Sequence, residues 1–162
     1  MTDGKTFSKI LLPIHDSIKS HDNALDCAIK IAQDYDARII ILYIIRASAD
    51  KHALSPPNYI IQLKAEAQKY LFEILQKVQR YKNTENILRV NTKIVASIKI
   101  ADAIISYAED KQMDLIVIGT LGRSRLKRLI LGSIATKVVR HANCPVLTVR
   151  QSGDNRFRRS ML

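Results

Sequence analysis

The sequence predicts an α/β fold, a single doubly wound domain built on a five-stranded parallel sheet with helices on both faces. Three observations carry this reading. Five strand-like runs alternate with four segments of helical period, the pattern of parallel strands joined through right-handed crossover helices. The first run is continuously apolar, as in strands covered on both faces. The chain has 162 residues, 47% of them hydrophobic, which suits one domain with a substantial core.

The first strand follows Lys9 and comprises Ile10, Leu11 and Leu12, with Pro13-Ile14-His15-Asp16-Ser17 ending it. A helix is expected from Ser20 or His21 to Tyr35. There Ala24, Leu25, Ala28, Ile31, Ala32 and Tyr35 recur at helical period, and Asp22 and Asp26 lie near the end of the helix dipole that favours acids. Arg38 to Ile45 is the most apolar run, rich in β-branched isoleucine, and is expected to lie centrally. Arg46 to Asn58 reads as a loop with Pro56-Pro57 near its end. The longest helix is expected from Tyr59 to Tyr81, with Ile60, Leu63, Ala67, Tyr70, Leu71, Ile74, Leu75 and Val78 on its apolar stripe and Lys64, Glu66, Lys69, Glu73 and Lys77 on a solvated face. Ile87 to Val95 alternates apolar with polar residues, as a more exposed strand does. A helix from Ile100 to Asp110 turns Ala101, Ile104, Ile105 and Ala108 inward.

The stretch from Asp114 to Arg150 organises the rest. A strand, Leu115-Ile116-Val117-Ile118, runs straight into Gly119, with Gly122 three residues later. Nine residues separate Gly122 from Gly132-Ser133. A helix then carries Ile134, Val138 and Val139 on one side, Asn143-Cys144-Pro145 ends it, and Val146 to Val149 is the last strand. Glycine after a parallel strand can take positive φ and lets a ligand approach the backbone. Ser133 suits an N-cap, and the free N–H groups of a helix start, backed by its dipole, bind anions. Arg123, Arg125, Lys127 and Arg128 add positive charge within the loop. The pattern lacks the Gly-Lys-Ser/Thr of a P-loop and is not the Gly-x-Gly-x-x-Gly dinucleotide fingerprint, yet glycines, Gly-Ser and basic residues together favour a phosphate cradle.

Charge and cysteines bound the function. Net charge is +11, but from Arg123 onward ten Lys/Arg meet one acid, Asp154, so +9 of it falls in the last forty residues. A uniformly basic nucleic-acid binder does not look like this, and nucleic acid is not an expected partner. Residues 151–162 lack periodicity and read as a basic, mobile tail beyond a domain of residues 1–150. Cys27 and Cys144 sit in apolar surroundings and read as reduced core thiols of a cytoplasmic protein. No segment has the length of a membrane-spanning helix, and residues 1–8 are too polar for a signal peptide.

With its Gly-x2-Gly-x9-Gly-Ser spacing between an Asp-Leu-Ile-Val-Ile strand and a Cys-Pro-Val-Leu strand, the chain resembles the universal stress protein family from about Lys9 to Arg150. The resemblance implies strand order 3-2-1-4-5. Ligands of such sheets bind beyond the strand C-termini where the order reverses, which brings the ends of strands one and four into one crevice. It further implies ATP or AMP as ligand, with Mg²⁺ held mainly by the phosphates, contacted by Pro13, His15 and Ile44 and by the loop positions Gly119, Thr120, Leu121, Gly122, Arg123, Ser124 and Arg125. Gly132, Ser133, Ile134 and Ala135 complete the contact set. Two positions depart from the family pattern: His15 stands where members carry a ribose-holding Asp, and Ile98-Lys99-Ile100 where they often carry Gly-x-Pro.

No catalytic constellation or metal-ligand spacing is visible around His15, His21, His52, His141 or the cysteines. The expected function is therefore an ATP-binding regulatory protein with at most slow hydrolysis. The alternatives are a nucleotide-free interaction module working through its dimer surface or basic tail, and a true ATPase or phosphotransferase. A homodimer joined through Val146 to Val149 is expected, because an apolar edge strand invites pairing with a second copy.

Overall fold

A computed structural model describes residues 7–15, 22–47, 58–81, 88–120 and 131–150. Nine elements alternate in order: β1 (Lys9–His15), α1 (Asp22–Tyr35), β2 (Arg38–Arg46), α2 (Tyr59–Gln79), β3 (Arg89–Ser97), α3 (Ile100–Asp110), β4 (Leu115–Gly119), α4 (Ser133–His141) and β5 (Val146–Val149). The strands form one parallel sheet of order β3-β2-β1-β4-β5, so the expected doubly wound topology is the one observed.

Side-chain alternation along the inner strands divides the core into two layers. Ile10, Leu12 and Ile14 of β1 and Ile39 and Ile41 of β2 pack beneath α1 and α2, against Leu25, Ile29, Leu71 and Ile74. Leu11, Leu42, Ile44 and Ile116 turn to the other face, where α3 and α4 supply Ile100, Ile104, Ala135 and Val138. The β2 strand has neighbours on both sides but is not the central strand; β1 is. The two ends of the sheet order, β3 and β5, are its edges, and β3 is correspondingly exposed along most of its length.

Several expectations shift in detail. The first strand does not stop at Leu12 but runs through Pro13 to His15. Its ladder to β2 is continuous from Lys9↔Arg38 to His15↔Ile44, whereas the ladder to β4 covers Ile10↔Leu115 and Leu11↔Ile116. Proline has no N–H to donate, so a strand containing Pro13 can continue against one neighbour while parting from the other. The parting falls at the reversal of strand order, where ligands of such sheets bind. In α1 the inward positions include Ile29 at 1% exposure, while Tyr35 is 40% exposed and meets Phe7 edge to face. In α4, Ala135 and Val138 face the core and Val139 faces out. The exposed strand begins at Arg89 and extends to Ser97, two residues later at both ends than its period suggests. Edge strands bury one face only partly, which blurs their ends.

The two cysteines are free and half-buried. Burial raises both thiols above their ordinary pKa, with Asp26 beside Cys27 and Asp114 beside Cys144 adding to the effect. No described helix is long and apolar enough to cross a membrane.

Candidate functional site

The strands end together at the C-terminal edge of the sheet, and α3 and α4 begin there. His15 closes β1 and is only 5% exposed. It is the register partner of Ile44, and Pro13 is that of Leu42. The side chain of Ile44 is fully buried, and β2 runs on for two residues to Arg46, so Ile44 lies inside the sheet with β1 on one side and β3 on the other.

Gly119 closes β4 opposite Val149 of β5. No described glycine has positive φ, so the conformational reason expected for Gly119 does not apply. Space is the reason instead: a Cβ built on Gly119 would meet no atom within 4 Å. The described residues leave this backbone uncovered, which is what a ligand approaching it needs.

The helix start is tied to that strand end through the backbone. Thr120 N–H donates to the Val149 carbonyl at 3.0 Å, and Gly132 N–H donates to the Thr120 carbonyl at 2.9 Å. Gly132, not Ser133, is the N-cap, with extended backbone at φ −59° and ψ 155° and no side-chain cap. The first helical bond runs from Thr136 N–H to Gly132 C=O at 2.8 Å. It leaves the N–H groups of Ser133, Ile134 and Ala135 without acceptors inside the helix. The Ser133 side chain is exposed and Ala135 is 3% exposed, so Ala135 can offer a ligand only its backbone. Leu121, Gly122, Arg123, Ser124 and Arg125 lie outside the described residues, as do Lys127, Arg128 and the tail of residues 151–162.

Beside the α4 start the structure holds a cavity of about 260 Å³. Its charged lining is Arg46 from the end of β2, Lys99 and Asp102 from the start of α3, and Lys137 from α4. Ile98 and Ile100 add apolar surface, and Ser133 and Ile134 are shared with the predicted phosphate loop. Ile98, in the segment where the family often carries Gly-x-Pro, is 61% exposed and leaves the cavity open. Lys137 and Asp102 form an ion pair at 2.6 Å between α4 and α3. The hydrogen bond from Lys137 holds the Asp102 carboxyl below its ordinary pKa against a small opposing effect of burial, with the charges of Lys137, Lys99 and His141 assisting.

Pro13, His15 and Ile44 are thus gathered by the β1–β2 ladder, and Gly119, Thr120, Gly132 and Ser133 by the bonds between β4, β5 and α4. Sequence reasoning passed over Arg46, Asp102 and Lys137. The signal that could have found the cavity was Lys99 in the departing segment, since a cation there stands at the start of a helix and at the C-terminal edge of the sheet. Among the described residues no three His, Cys, Asp or Glu side chains gather in a way that could hold a metal ion.

Comparison with known proteins bears on the family and the fold. Two relatives are the universal stress protein YxiE of Bacillus subtilis, 33% identical over 150 residues that cover 89% of this chain and 99% of that one, and the universal stress protein MJ0531 of Methanocaldococcus jannaschii, 32% identical over 148 residues that cover 90% and 83%. Among solved structures, the universal stress protein UspA from Lactobacillus plantarum superposes with a TM-score of 0.70 at 26% identity, covering 89% of this chain and 98% of that chain. Two more distant structures share the fold: a universal stress protein in complex with cAMP (TM-score 0.60, 23% identity, 90% and 98% covered) and one from Archaeoglobus fulgidus in complex with dAMP (TM-score 0.59, 19% identity, 88% and 98% covered). Residues 6–150 match the pattern of the universal stress protein family, and the chain belongs to that family.

Proposed function

We propose that this protein is an adenine-nucleotide-binding regulatory protein, with the nucleotide seated in the crevice between the ends of β1 and β4. The observation that carries this is the start of α4. Three first-turn N–H groups open beside a strand end where Gly119 leaves empty space, and such a helix start attracts phosphate. His15 at the end of β1 suits the ribose, and the backbone at Ile44 beside it suits adenine. The two nucleotide complexes support the reading only as far as the shared fold goes.

The chain's own residues bind and orient in this reading. The α4 N–H groups hold phosphate, and a histidine at position 15 can exchange hydrogen bonds with a ribose hydroxyl. Mg²⁺ would be held mainly by the phosphates, whose charge it would spread. Asp102, the described carboxylate beside that helix start, is engaged by Lys137, so hydrolysis is expected to be slow at most. The test is thermal unfolding with and without ATP and AMP. Saturating ligand raises Tm, and an unchanged Tm at millimolar nucleotide counts against the proposal.

A second copy is the natural partner. The β5 strand is a sheet edge, and Leu147 on it and Val139 on the adjoining α4 are 37% and 45% exposed. Pairing of two β5 strands buries both. Light scattering is expected to give the mass of a dimer, with Leu147→Lys shifting it toward monomer. A monomeric wild type at micromolar concentration defeats this reading.

A further inference from the structure

We propose that the β3 edge of the sheet, together with the flank of α2 beside it, docks an extended segment of a partner protein whose side chains alternate between acidic and apolar. The segment joins the sheet as a strand next to β3. This inference does not depend on the nucleotide reading.

The strand supplies the frame. β3 has 9 residues, pairs with β2 along its whole length from Arg38↔Arg89 to Arg46↔Ser97, and stands last in the sheet order. Ala47 N–H donates to the Ser97 carbonyl, so the backbone groups of Ser97 face β2. Along a strand these groups alternate in direction from residue to residue. Asn91, Lys93 and Val95 therefore also bond toward β2, and Val90, Thr92, Ile94 and Ala96 turn their N–H and C=O groups outward. No further described strand meets them. Such an edge holds an extended chain by main-chain hydrogen bonds, while alternate side chains set the specificity.

The two faces of β3 differ in chemistry. Val90 and Ile94 pack toward the layer beneath α1 and α2, and Val95 toward the other layer. Arg89, Asn91 and Lys93 share the Val95 face, and all three are exposed. Arg38, the register partner of Arg89, is exposed there too. Asp36 pairs with Arg89, which leaves Arg38 and Lys93 to charge this face positively. The other face is apolar. α1 lies over β1, β2, β4 and β5, and α2 over β2 and β3. Lys77 of α2 turns to α1, where it reaches Asp22 at 2.9 Å. Ile61 and Phe72 stand roughly 140–160° around the helix from Lys77. They lie on the β3 side and are 64% and 62% exposed. Ala65, Gln68, Gln76 and Gln79 continue that exposed flank without a charge. A strand added beside β3 thus sets one row of side chains near Lys93 and the other along Ile94 and Phe72. Charge also decides against a second copy. Full antiparallel pairing of two β3 strands, residue 89 with 97, puts Lys93 opposite its own copy, and like charges directly opposite are unfavourable. The β5 edge, by contrast, carries no charge.

The experiment is fluorescence anisotropy of the full chain with a labelled peptide of the length of β3, 9 residues, that alternates glutamate with valine. Two comparison peptides alternate lysine with valine, or hold the same glutamates and valines in two blocks. The proteins are wild type, Thr92→Pro, Lys93→Glu, Phe72→Gln and, as a control on the exposed face of α1, Lys30→Ala. Thr92 is exposed and its N–H points outward, so proline removes an edge donor and spares the β2 ladder. Unfolding temperatures check that each variant folds. Wild type is expected to bind the alternating acidic peptide about tenfold or more tighter than either comparison peptide. Thr92→Pro should lose about tenfold in affinity and Phe72→Gln about threefold. Lys93→Glu should reverse the preference toward the lysine peptide, and Lys30→Ala should change nothing. The proposal is overturned by no saturable binding at millimolar acidic peptide, by equal binding of the three peptides, by full binding in folded Thr92→Pro or Lys93→Glu, or by an equal loss in Lys30→Ala. Light scattering tests the remaining occupant. A wild-type mass above that of a dimer, falling in Thr92→Pro, assigns the edge to a second copy and overturns the proposal as well.

Discussion

The two ends of the sheet are built differently. At the N-terminal end of the strands, polar groups are tied down. Asp114 Oδ2 accepts from Ser8 N–H at 2.9 Å, Ser8 hydroxyl at 2.7 Å and Lys9 N–H at 2.7 Å, and Lys9 Nζ donates to the Lys111 carbonyl at 3.0 Å. Arg89 at the start of β3 pairs with Asp36 in the α1–β2 turn at 2.9 Å. At the C-terminal end, β1 pairs with β4 only as far as Leu11, a Cβ on Gly119 would meet none of the described residues within 4 Å, and α3 and α4 begin without side-chain caps. Among the described residues, one end ties side-chain polar groups across the chain, and the other holds the helix starts that the proposed function assigns to a ligand. Stability and binding are therefore expected to be separable by substitution.

The largest separation is expected from Asp114→Ala. It leaves three donors without their acceptor and should cost about 1–3 kcal/mol in a denaturant titration, with nucleotide affinity unchanged. The effect has a pH signature. Partial burial opposes ionisation of Asp114, but the hydrogen bonds from Ser8 and Lys9, with the Lys9 charge, outweigh it and hold the carboxyl below its ordinary pKa. A carboxyl more acidic in the folded state stabilises above its unfolded pKa of about 4, and that contribution disappears as pH falls through the lower folded value. Wild type and variant should thus converge in stability in acid. A gap that is constant from pH 7 to 2 would remove ionisation from the account.

Gly119→Ala tests the open end and should show the reverse pattern. A Cβ meets none of the described residues, so stability should hold or rise by about 0.5 kcal/mol through the stiffer unfolded chain. Nucleotide affinity should drop about tenfold if the ligand occupies that space. Equal affinity in the two proteins would show that no ligand approaches the Gly119 backbone.

The smallest effect belongs to the closed end again. After α3, Gln112 takes φ 50° so that Met113 N–H can reach the Ala108 carbonyl at 2.8 Å, just as Asp36 at φ 51° lets Ala37 N–H reach Ala32 after α1. Glycine occupies this left-handed position without the penalty of a Cβ. Gln112→Gly should therefore raise stability by about 0.5–1 kcal/mol and leave binding alone. A loss of stability would show that the Gln112 side chain makes a compensating contact.

What the sequence determined by itself was local in origin. The order of strands and helices was readable because apolar spacing reports which face of an element is covered, whatever covers it. The Gly119 and Gly132-Ser133 positions were readable for the same kind of reason, since glycine spacing after a strand signals a turn into a helix. Their chemistry was less so: Ser133 reads as a cap from residue type alone, and only the backbone path makes Gly132 the cap. Tertiary structure decided everything that depends on two distant segments meeting. Pro13 looks like a strand ending until β2 is there to pair with it. Tyr35 and Ile29 lie close together in α1, and the packing of α1 on the sheet chose Ile29 for burial. Asp114 reaches back more than a hundred residues to Ser8 and Lys9. Arg46, Lys99 and Lys137 come from three elements with no common spacing, and they share one cavity because the sheet order sets the end of β2 near the starts of α3 and α4. No one-dimensional period records such a meeting, because the energy that selects it is the burial of surfaces on several elements at once.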